Sequence, residues 1–461
     1  MSVPLLIIGS GLSGLAAAIR YARFSPDVLL LEKHARIGGL NSFFHRNGAL
    51  IETGLHAITN YAEPKDKKAP LNQLFRQLKL NRKDLPLQEQ IQSEICFPNR
   101  ESLLFSNDFN LFYSQVVSKF PRLTAAFDQV LAAIKAYDPF RARPFISTRS
   151  FLSDSIRDPL LIDMILCPLM YYGSCSENDM DLGQFVIMFR AIFLEGMFRP
   201  RGTIKDLLDF LLNHYTAFGG KIRLNSPVVK ICHKDKKVSA VELASGEVIE
   251  CDHLLSTIGY RETLRLLGQD TSHESLTRLG FIESIFRLPV SCRQELPLDR
   301  TIIFYNQADR FRYERPHRHV DFNSGVICFP SNFHGIRPEG YFEIRSTHLA
   351  DYHSWKSLQS SPLLYGEKKR ESSRRSVETI EKITGNFRNN IVYEDTFTPL
   401  TVERFTAKLE GAIYGHPRKF KDGLIGYGNL FLAGTDQGYL GIVGSMLSGI
   451  SMVNRHILSA L

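Results

Sequence analysis

The sequence PLLIIGSGLSG, residues 4–14, decides the fold. Its first half is a continuous apolar run that ends in glycine, which is typical of a strand buried on both faces of a parallel sheet. Its second half fits the pattern G-x-G-x-x-G and leads into helix-forming residues up to Arg23, and Val28–Leu31 predicts a second buried strand. The order strand, helix, strand within about thirty residues is typical of a dinucleotide-binding unit.

Each glycine of this pattern has its own physical reason. Gly9 allows the tight turn after the strand, Gly11 lets a pyrophosphate approach bare backbone, and Gly14 lets the helix pack closely on the strand. Leu12 and Ser13 lie at the positive end of the helix, where free amide groups would face the phosphates. The pattern therefore predicts that these five residues belong to a cofactor site.

A second glycine pair follows the second predicted strand. Glu32 ends that strand and is placed to accept hydrogen bonds from the hydroxyl groups of an adenosine ribose. The segment EKHARIGGLNS, residues 32–42, resembles a signature of flavoproteins of the amine oxidase and phytoene desaturase type. In that family Gly38 and Gly39 form a turn beside the diphosphate and ribityl chain of FAD, where side chains do not fit. The resemblance also implies FAD contacts from three further residues, Lys33, Asn41 and Ser42.

The sequence ETGLH, residues 52–56, carries the resemblance further. It looks like the D-T-G-x-H stretch of the carotenoid isomerase and retinol saturase branch of this superfamily, with Glu52 in place of the usual Asp. The branch implies FAD contacts from Gly54, Leu55 and His56. His56 is the candidate catalytic residue if it lies near the isoalloxazine ring, and the alternative is a histidine that only packs and forms hydrogen bonds.

Two other stretches add to the resemblance. TPLT, residues 398–401, with Tyr414 and Gly415, is similar to elements of the same branch that cover the flavin and border the substrate. RPRGT, residues 199–203, followed by a predicted helix and a Gly-Gly pair, is similar to the middle flavin segment of the family. In that segment the backbone of the residue matching Val229 contacts the adenine.

The motif LAGTD, residues 432–436, is similar to the C-terminal motif by which this family completes its flavin site. The resemblance implies that Asp436 hydrogen-bonds the ribityl or pyrophosphate region and that the following helix points its N-terminus at the flavin. The sequence departs from the family beside the ring, at residues 438–440. The cofactor contacts implied by this motif are Gly434, Asp436, Gly441, Ile442 and Gly444.

Taken together, these motifs imply a glutathione-reductase-like FAD-binding Rossmann fold of the α/β class, with a three-stranded crossover. The FAD-binding domain is expected to be discontinuous and assembled from three segments, 1–65, 200–265 and 395–461. Residues 66–199 and 266–394 are expected to form a second, α+β substrate domain. Within it, residues 70–200 predict a mostly helical layer and residues 280–350 predict an antiparallel sheet.

The composition excludes several other classes of protein. The net charge is +8, but Lys and Arg are dispersed, so we expect no nucleic-acid binding and, at most, peripheral contact with a membrane surface. The seven cysteines form no C-x-x-C pair and the histidines lack metalloprotease spacing, so we expect no metal site. The N-terminus lacks the pattern of a secretory signal and no stretch is long and apolar enough to span a bilayer, so we expect a cytoplasmic location.

The function implied by the resemblance is that of an FAD-dependent oxidoreductase acting on a hydrophobic polyene or isoprenoid-like substrate. Hydride transfer at flavin N5 would desaturate, saturate or isomerise double bonds, and the sequence does not choose among these reactions. One alternative is a flavin amine oxidase or monooxygenase of a polar small molecule or peptide-linked residue, with paired aromatic and charged groups in its cavity. The other is a non-catalytic binder of prenylated proteins that shares the fold and lacks the flavin. The sequence leaves the oligomeric state open.

Overall fold

The fold consists of two large sheets, two smaller ones and the helices that cover them. A computed structural model describes residues 2–46, 48–97, 100–141, 143–273, 279–297 and 299–460. Its strands are, in chain order, β1 (Val3–Ile8), β2 (Val28–Leu31), β3 (Phe43–Arg46), β4 (Ala49–Glu52), β5 (Ile58–Thr59), β6 (Leu87–Glu89), β7 (Ser93–Phe97), β8 (Glu101–Phe105), β9 (Met197–Pro200), β10 (Lys221–Arg223), β11 (Val228–Lys234), β12 (Lys237–Leu243), β13 (Val248–Ser256), β14 (Gly280–Pro289), β15 (Ile302–Asn306), β16 (Ser324–Cys328), β17 (Tyr341–Ala350), β18 (Tyr393–Phe397) and β19 (Leu430–Leu432). The α-helices are α1 (Leu12–Ala22), α2 (Pro70–Leu78), α3 (Phe109–Lys119), α4 (Thr124–Ala136), α5 (Thr148–Ser155), α6 (Pro159–Gly173), α7 (Leu182–Phe189), α8 (Ile204–Ala217), α9 (Tyr260–Leu266), α10 (Tyr352–Ser357), α11 (Pro362–Thr384), α12 (Pro399–Thr406) and α13 (Gly441–Met452).

The first sheet brings the two ends of the chain together. Its strands lie in the order β10-β2-β1-β13-β12-β11, and β19 also pairs with β13. Residues 254–256 of β13 are parallel to β1 on one side and to β19 on the other. The first part of β13 is instead antiparallel to β12, which is antiparallel to β11. One strand, β13, therefore separates the N-terminal strand from the C-terminal strand and also ends the three-stranded crossover.

Helices α1 and α13 pack against each other with their backbones in close contact. A Cβ atom built on Gly449 of α13 would lie 2.1 Å from the carbonyl oxygen of Ser13. A Cβ atom built on Gly14 would lie 1.9 Å from the carbonyl oxygen of Gly9, so this glycine permits the close strand-to-helix turn that the sequence predicts. Helices α1 and α13 thus form one layer on the first sheet.

The second sheet is formed by parts of the chain in which the sequence shows no family motif. Its strands lie in the order β18-β14-β17-β16-β15-β7-β8, and every pairing is antiparallel except that of β7 with β15. The prediction of a mostly helical layer over residues 70–200 is wrong in part, because β6 to β9 lie within it and β7 and β8 extend this sheet. Ser93–Phe97 alternates buried and half-buried positions, which is the two-residue period of a strand.

The two faces of the second sheet are covered by different helices. Apolar side chains of α6 and α7 share a core with Phe281 and Val326, whereas Val377 and Ile380 of α11 pack on the opposite face. Because neighbouring residues of a strand point to opposite faces, Glu283 lies on the same face of β14 as Phe281. The face towards α6 therefore carries Glu283 close to apolar side chains of the core.

The predicted domain boundary at residue 395 falls inside β18, which pairs with β14 of the second sheet. The other limits of the two predicted domains remain a proposal. Among the described helices, none combines the length and the apolar character needed to cross a membrane.

Candidate active site

A pocket of about 1130 Å³ lies between the glycine turns of the first sheet and the floor of the second. It is slightly larger than the roughly 300 to 1,000 Å³ of a typical small-molecule site. Residues 34–44 and 53–59 form one side, Tyr171 and Tyr172 of α6 close another, and β14 and α12 form much of the remainder.

The two glycine turns predicted at the N-terminus lie directly against each other. The amide of Gly38 donates a hydrogen bond to the carbonyl oxygen of Ser10 at 3.0 Å, and Gly11 and Gly38 form an isolated parallel bridge. A Cβ atom built on Gly39, which lines the pocket, would lie 3.3 Å from Cα of Gly11. Gly38 has a φ of +113°, a conformation that L-residues with side chains rarely adopt. Glycine is therefore needed where the two turns meet.

Glu32 stabilises the first of these turns from within the protein. Its buried carboxylate accepts hydrogen bonds from the amide of Ser10 at 2.9 Å, the hydroxyl of Ser10 at 2.6 Å and the amide of His34 at 3.0 Å. A carboxylate offers about four acceptor positions, so one remains for the predicted ribose contact. Burial lowers the pKa of the neighbouring Lys33, and the charge of Glu32 opposes that shift.

Residues 41–56 include five predicted FAD contacts, of which four line the pocket and one lies in the apolar core. Asn41, Ser42, Gly54 and His56 line the pocket, but Leu55 is fully buried in the apolar core of the first sheet. Leu55 therefore contributes packing, and its side chain does not face the pocket.

Asp436 is predicted to hydrogen-bond the ribityl or pyrophosphate region of FAD, but its carboxylate binds backbone amides of the protein. Its carboxylate is buried and accepts hydrogen bonds from the backbone amides of Tyr260 and His416, so it joins two loops of the protein. Burial alone would raise the pKa of Asp436, but Lys408, Lys419 and the two amides outweigh burial and lower it. The pocket is lined instead by the preceding residue, Thr435, which a motif search that looks for a carboxylate overlooks.

The remaining C-terminal predictions fall in two groups. Gly441 and Ile442, at the start of α13, line the pocket. Gly434 and Gly444 support the turn and the helix from outside the pocket lining, and the amide of Gly434 donates to the hydroxyl of Ser448 at 2.7 Å. The N-terminus of α13 therefore borders the pocket, although only part of the motif lines it.

Val229 lies outside the lining of the large pocket. It is half exposed on β11 and lines a separate pocket of about 370 Å³ beside α9. The pairing of β11 with β12 shifts register between Val228 and Lys230, so Val229 lies in a strand irregularity. The segment just before β11 lies beside Glu32, because the amide of Ser226 donates a hydrogen bond to the Glu32 carbonyl oxygen at 2.8 Å. The adenine contact implied for Val229 stays a prediction.

Several residues of the pocket carry no sequence motif. Glu283 Oε1 lies 3.0 Å from Nε2 of His56, and Phe281, Tyr171 and Tyr172 lie nearby in the lining. They come from β14 and α6, which are more than a hundred residues from the glycine motif and reach the site only through the sheet and its covering helices. The sequence feature that could have pointed to Glu283 is that it is the single acidic residue of the largely apolar strand at 280–289.

The N-terminal end of α1 suits the diphosphate of a dinucleotide. A Cβ atom on Gly11 would meet no heavy atom of the described residues within 4 Å, so open space borders its backbone. The hydroxyl of Ser13 is buried and has no hydrogen-bond partner among the residues that the structure describes. Free amides, an unpaired hydroxyl and bare backbone at a helix N-terminus are the features that an anionic diphosphate requires.

Known proteins with related sequences are similar over most of the chain. A prolycopene isomerase from an Oncidium hybrid cultivar is 22% identical over 91% of this chain and 76% of its own length. A 4,4'-diaponeurosporene oxygenase from Staphylococcus haemolyticus is 23% identical over 89% of this chain and 86% of its own.

Solved structures share the fold at lower identity. An oxidoreductase from Methanosarcina mazei superposes with a TM-score of 0.69 at 15% identity, over 98% of this chain and 100% of that one. Cyclohexylamine oxidase from Brevibacterium oxydans superposes with a TM-score of 0.62 at 15% identity, over 99% and 98%. The predicted FAD-binding α/β fold is thereby confirmed.

A sequence profile described as "Flavin containing amine oxidoreductase" matches residues 12–281, which is more than half of the chain. That match includes Gly14, the turn at Gly38 and Gly39, and the ETGLH stretch. The protein therefore belongs to the flavin containing amine oxidoreductase family and is an FAD-dependent oxidoreductase.

Proposed function

We propose that this oxidoreductase acts on a hydrophobic polyene or isoprenoid-like substrate and desaturates, saturates or isomerises its double bonds. The observation that carries the proposal is the apolar, aromatic lining of the large pocket, in which Tyr171, Tyr172, Phe281 and Ile413 lie together with the hydrogen-bonded pair of His56 and Glu283. The names of the related isomerase and oxygenase, and of a phytoene desaturase that is 25% identical over 57% of this chain, refer to carotenoids and support the same substrate class.

The residues of the chain divide the work of holding FAD and substrate. When bound, FAD supplies hydride acceptance or donation at its N5 atom. Gly11, Ser13 and the Gly38-Gly39 turn would hold the diphosphate, and Gly441 at the start of α13 would border the flavin. The side chains of α6 and β14 exclude water from the space beyond, which keeps a reactive polyene from side reactions.

The amine oxidase alternative predicts a carboxylate that is free to bind an ammonium group. The pocket does contain paired aromatic residues, Phe281 and Tyr414, with ring centroids 5.7 Å apart, which suit either function. Each of its three acidic residues, however, already has a cationic partner in the protein. The pairs are Glu283 with Arg345, Asp395 with Lys369, and Glu403 with Lys356, at 3.6, 2.8 and 3.7 Å. This pairing favours an uncharged substrate.

A panel of substrates tests the proposal directly. The purified holoprotein, oxidised in one set of samples and photoreduced in another, is mixed without oxygen with a carotenoid, a retinoid, a polyunsaturated fatty acid or a polar amine, while its visible spectrum is recorded. With a polyene, we expect reduction of the oxidised flavin, reoxidation of the reduced flavin, or isomerisation of the added compound. Turnover of the polar amine alone would overturn the polyene proposal, and protein that stays colourless after FAD is added would favour the non-catalytic prenyl-protein binder.

The outer edge of the pocket supports a proposed contact with a membrane surface. Leu363 is 82% exposed and Leu364 is 54% exposed, and both directly follow Pro362 of the pocket lining. Phe405, also in the lining, is 54% exposed. Apolar side chains beside the opening of an apolar pocket suit an enzyme that takes its substrate from a bilayer.

Replacement of Leu363 and Leu364 by glutamate is expected to weaken binding to anionic lipid vesicles by at least about 10-fold, because two leucine side chains contribute roughly 3 kcal/mol when buried. Cosedimentation with vesicles of phosphatidylglycerol and phosphatidylcholine measures this change. Val248→Glu, at a position 57% exposed on β13, is the matched control and should bind vesicles as the unmodified protein does. Equal loss in both variants would mean that the surface near Leu363 has no special role.

A further inference from the structure

Glu283, Arg345 and Glu343 form a row of alternating charges beside the large pocket, and His56 is hydrogen-bonded to the end of that row. His56 Nε2 is 3.0 Å from Oε1 of Glu283, Arg345 Nη1 is 3.6 Å from the same oxygen, and Arg345 Nη2 is 2.7 Å from Oε2 of Glu343. The Arg345 side chain has no exposed surface, and those of His56 and Glu283 are 15% and 16% exposed. Charges this deeply buried are costly unless they are paired, so the row is a built feature of the site.

The pairing of strands in the second sheet fixes the position of this row. Glu283 of β14 lies opposite Thr347 of β17 and opposite Phe397 of β18, and the side chains of Thr347 and Phe397 also line the pocket. Glu283 is therefore fixed by strands on both sides. A carboxylate on a central strand of a sheet is positioned more precisely than one on a loop.

His56 is attached to this row through one of its two ring nitrogens. Nε2 is hydrogen-bonded to Glu283, whereas Nδ1 has no hydrogen-bond partner among the residues described, and the side chain lines the pocket. An imidazole that is held at one nitrogen by a carboxylate and is free at the other has the arrangement of a general acid or base.

We propose that Glu283 is the positioning residue for His56: its carboxylate, flanked by the Arg345 guanidinium, keeps the proton of the neutral imidazole on Nε2 and leaves Nδ1 to exchange a proton with the substrate. The inference rests on the proposed function for the identity of that substrate. It adds an acid–base group to the site and assigns a role to two residues, Glu283 and Arg345, that no sequence motif marks.

Desaturation of a substrate releases one proton in addition to a hydride, and His56 would accept that proton. Removal of two hydrogens from adjacent carbons breaks two C–H bonds and forms one C=C bond; oxidised FAD, when bound, would supply the acceptor for one hydrogen as hydride with its electron pair. The other hydrogen leaves as a proton and forms an N–H bond with the lone pair on Nδ1 of His56. In the saturating direction the same N–H bond breaks and its proton forms a C–H bond.

The surroundings favour a negative charge on Glu283 in spite of its burial. Burial raises the pKa of Glu283, but the neighbouring His56 and Arg345 outweigh burial and the net pKa is lowered. Burial would likewise lower the pKa of Arg345, yet Glu343, Glu283 and Glu52 reverse the shift and raise it. The other titratable and charged groups around the pair are Glu52, Tyr172, Arg199, Cys328, Glu343 and Tyr414.

Nuclear magnetic resonance of protein with isotope-labelled histidine tests the proposal without any substrate. The His56 signal is assigned by its loss in His56→Gln. In the unmodified holoprotein, the ring ¹⁵N shifts are expected to show a neutral imidazole with its proton on Nε2. A neutral ring with its proton on Nδ1 would overturn the proposal, and this measurement needs no variant of Glu283.

Replacement of Glu283 by glutamine adds a second readout. Loss of the carboxylate is expected to lower the fraction of His56 that carries its proton on Nε2, seen as a shift of the ring ¹⁵N signals, because a neutral amide is a weaker hydrogen-bond acceptor than a carboxylate. Asp395→Asn is the matched control, since Asp395 lines the same pocket but is paired with Lys369, and it should leave the ring ¹⁵N signals in place. Ring ¹⁵N signals that Glu283→Gln leaves unchanged, or that Asp395→Asn shifts equally, would overturn the proposal.

Kinetics then separate this inference from the proposed function. With a polyene that is turned over, His56→Gln is expected to lower kcat by about 100-fold or more with little change in KM. Glu283→Gln should cause a similar loss, and the double variant should be no slower than His56→Gln because the two residues act as a unit. Additive losses would overturn the pairing. If no polyene is turned over, the proposed function fails, while the resonance experiments still decide the role of Glu283.

Discussion

Replacement of Gly11 by alanine is expected to lower the affinity for FAD by at least about 100-fold and to leave the fold intact. Gly11 has an ordinary φ of −63°, and a Cβ atom there meets no heavy atom of the described protein within 4 Å. The added methyl group would occupy the open space next to the amides of α1. Loss of two charge-assisted hydrogen bonds to a diphosphate costs about 3 kcal/mol or more, which is about 100-fold in affinity.

Calorimetric titration of the apoprotein with FAD measures the loss, and urea unfolding of the apoprotein measures stability. Gly14→Ala is the matched control from the same motif, because its Cβ atom would lie 1.9 Å from the carbonyl oxygen of Gly9. That variant should lose stability, by about 3 kcal/mol or more, whether or not FAD is present. Undiminished FAD binding by Gly11→Ala would show that the cofactor does not pass this turn.

The contrast between these two glycines shows what the sequence predicts well. The turn at residues 9–14 and the turn at residues 38–39 are local features, in which the spacing of glycines specifies the backbone. Their meeting in space follows from the order strand, helix, strand, because β1 and β2 must pair for the sheet to form. Local motifs therefore predicted the fold class and the two N-terminal glycine turns that meet in space.

Local motifs could not predict which residues form the floor of the pocket. Glu283 reaches His56 through the register of β14 with its neighbouring strands, and register depends on pairings between distant segments. Asp436 shows the opposite difficulty: the motif LAGTD is present, but the geometry of two loops turns its carboxylate towards Tyr260 and His416 and leaves Thr435 at the pocket. A motif predicts that a turn exists more reliably than it predicts which side chain faces the ligand.

Glu52 is a further case in which the packing explains an unusual residue. It stands where the related branch has aspartate, and its carboxylate accepts from Arg199 at 2.7 Å and from the amide of Ile204 at 2.5 Å. Ile204 begins α8, so Glu52 links the strand before the ETGLH stretch to the positive end of that helix. The pair places the loop that carries His56 against the middle of the chain.

Replacement of Glu52 by glutamine is expected to lower the free energy of unfolding by about 3 to 5 kcal/mol, because Arg199 would remain buried without a counter-charge. Glu52 and Arg199 are only 7% and 5% exposed, so water cannot replace the lost partner. Burial raises the pKa of Glu52, but Arg199 and Arg345 outweigh burial and lower the net value. This contribution is therefore fully present above the usual pKa near 4.5 and is lost as the pH falls through the lower pKa of the folded protein.

Urea unfolding of the apoprotein at neutral pH measures the loss, and two variants make it specific to a buried pair. Combining Glu52→Gln with Arg199→Met should recover part of the stability, since neither charge is then left unpaired. Glu247→Gln breaks the exposed pair with Arg223, whose oxygens and nitrogens are 2.7 and 2.6 Å apart, and should change stability little because water screens both groups. If Glu52→Gln were as mild as Glu247→Gln, the link between Glu52 and Arg199 would not be what holds the His56 loop in place.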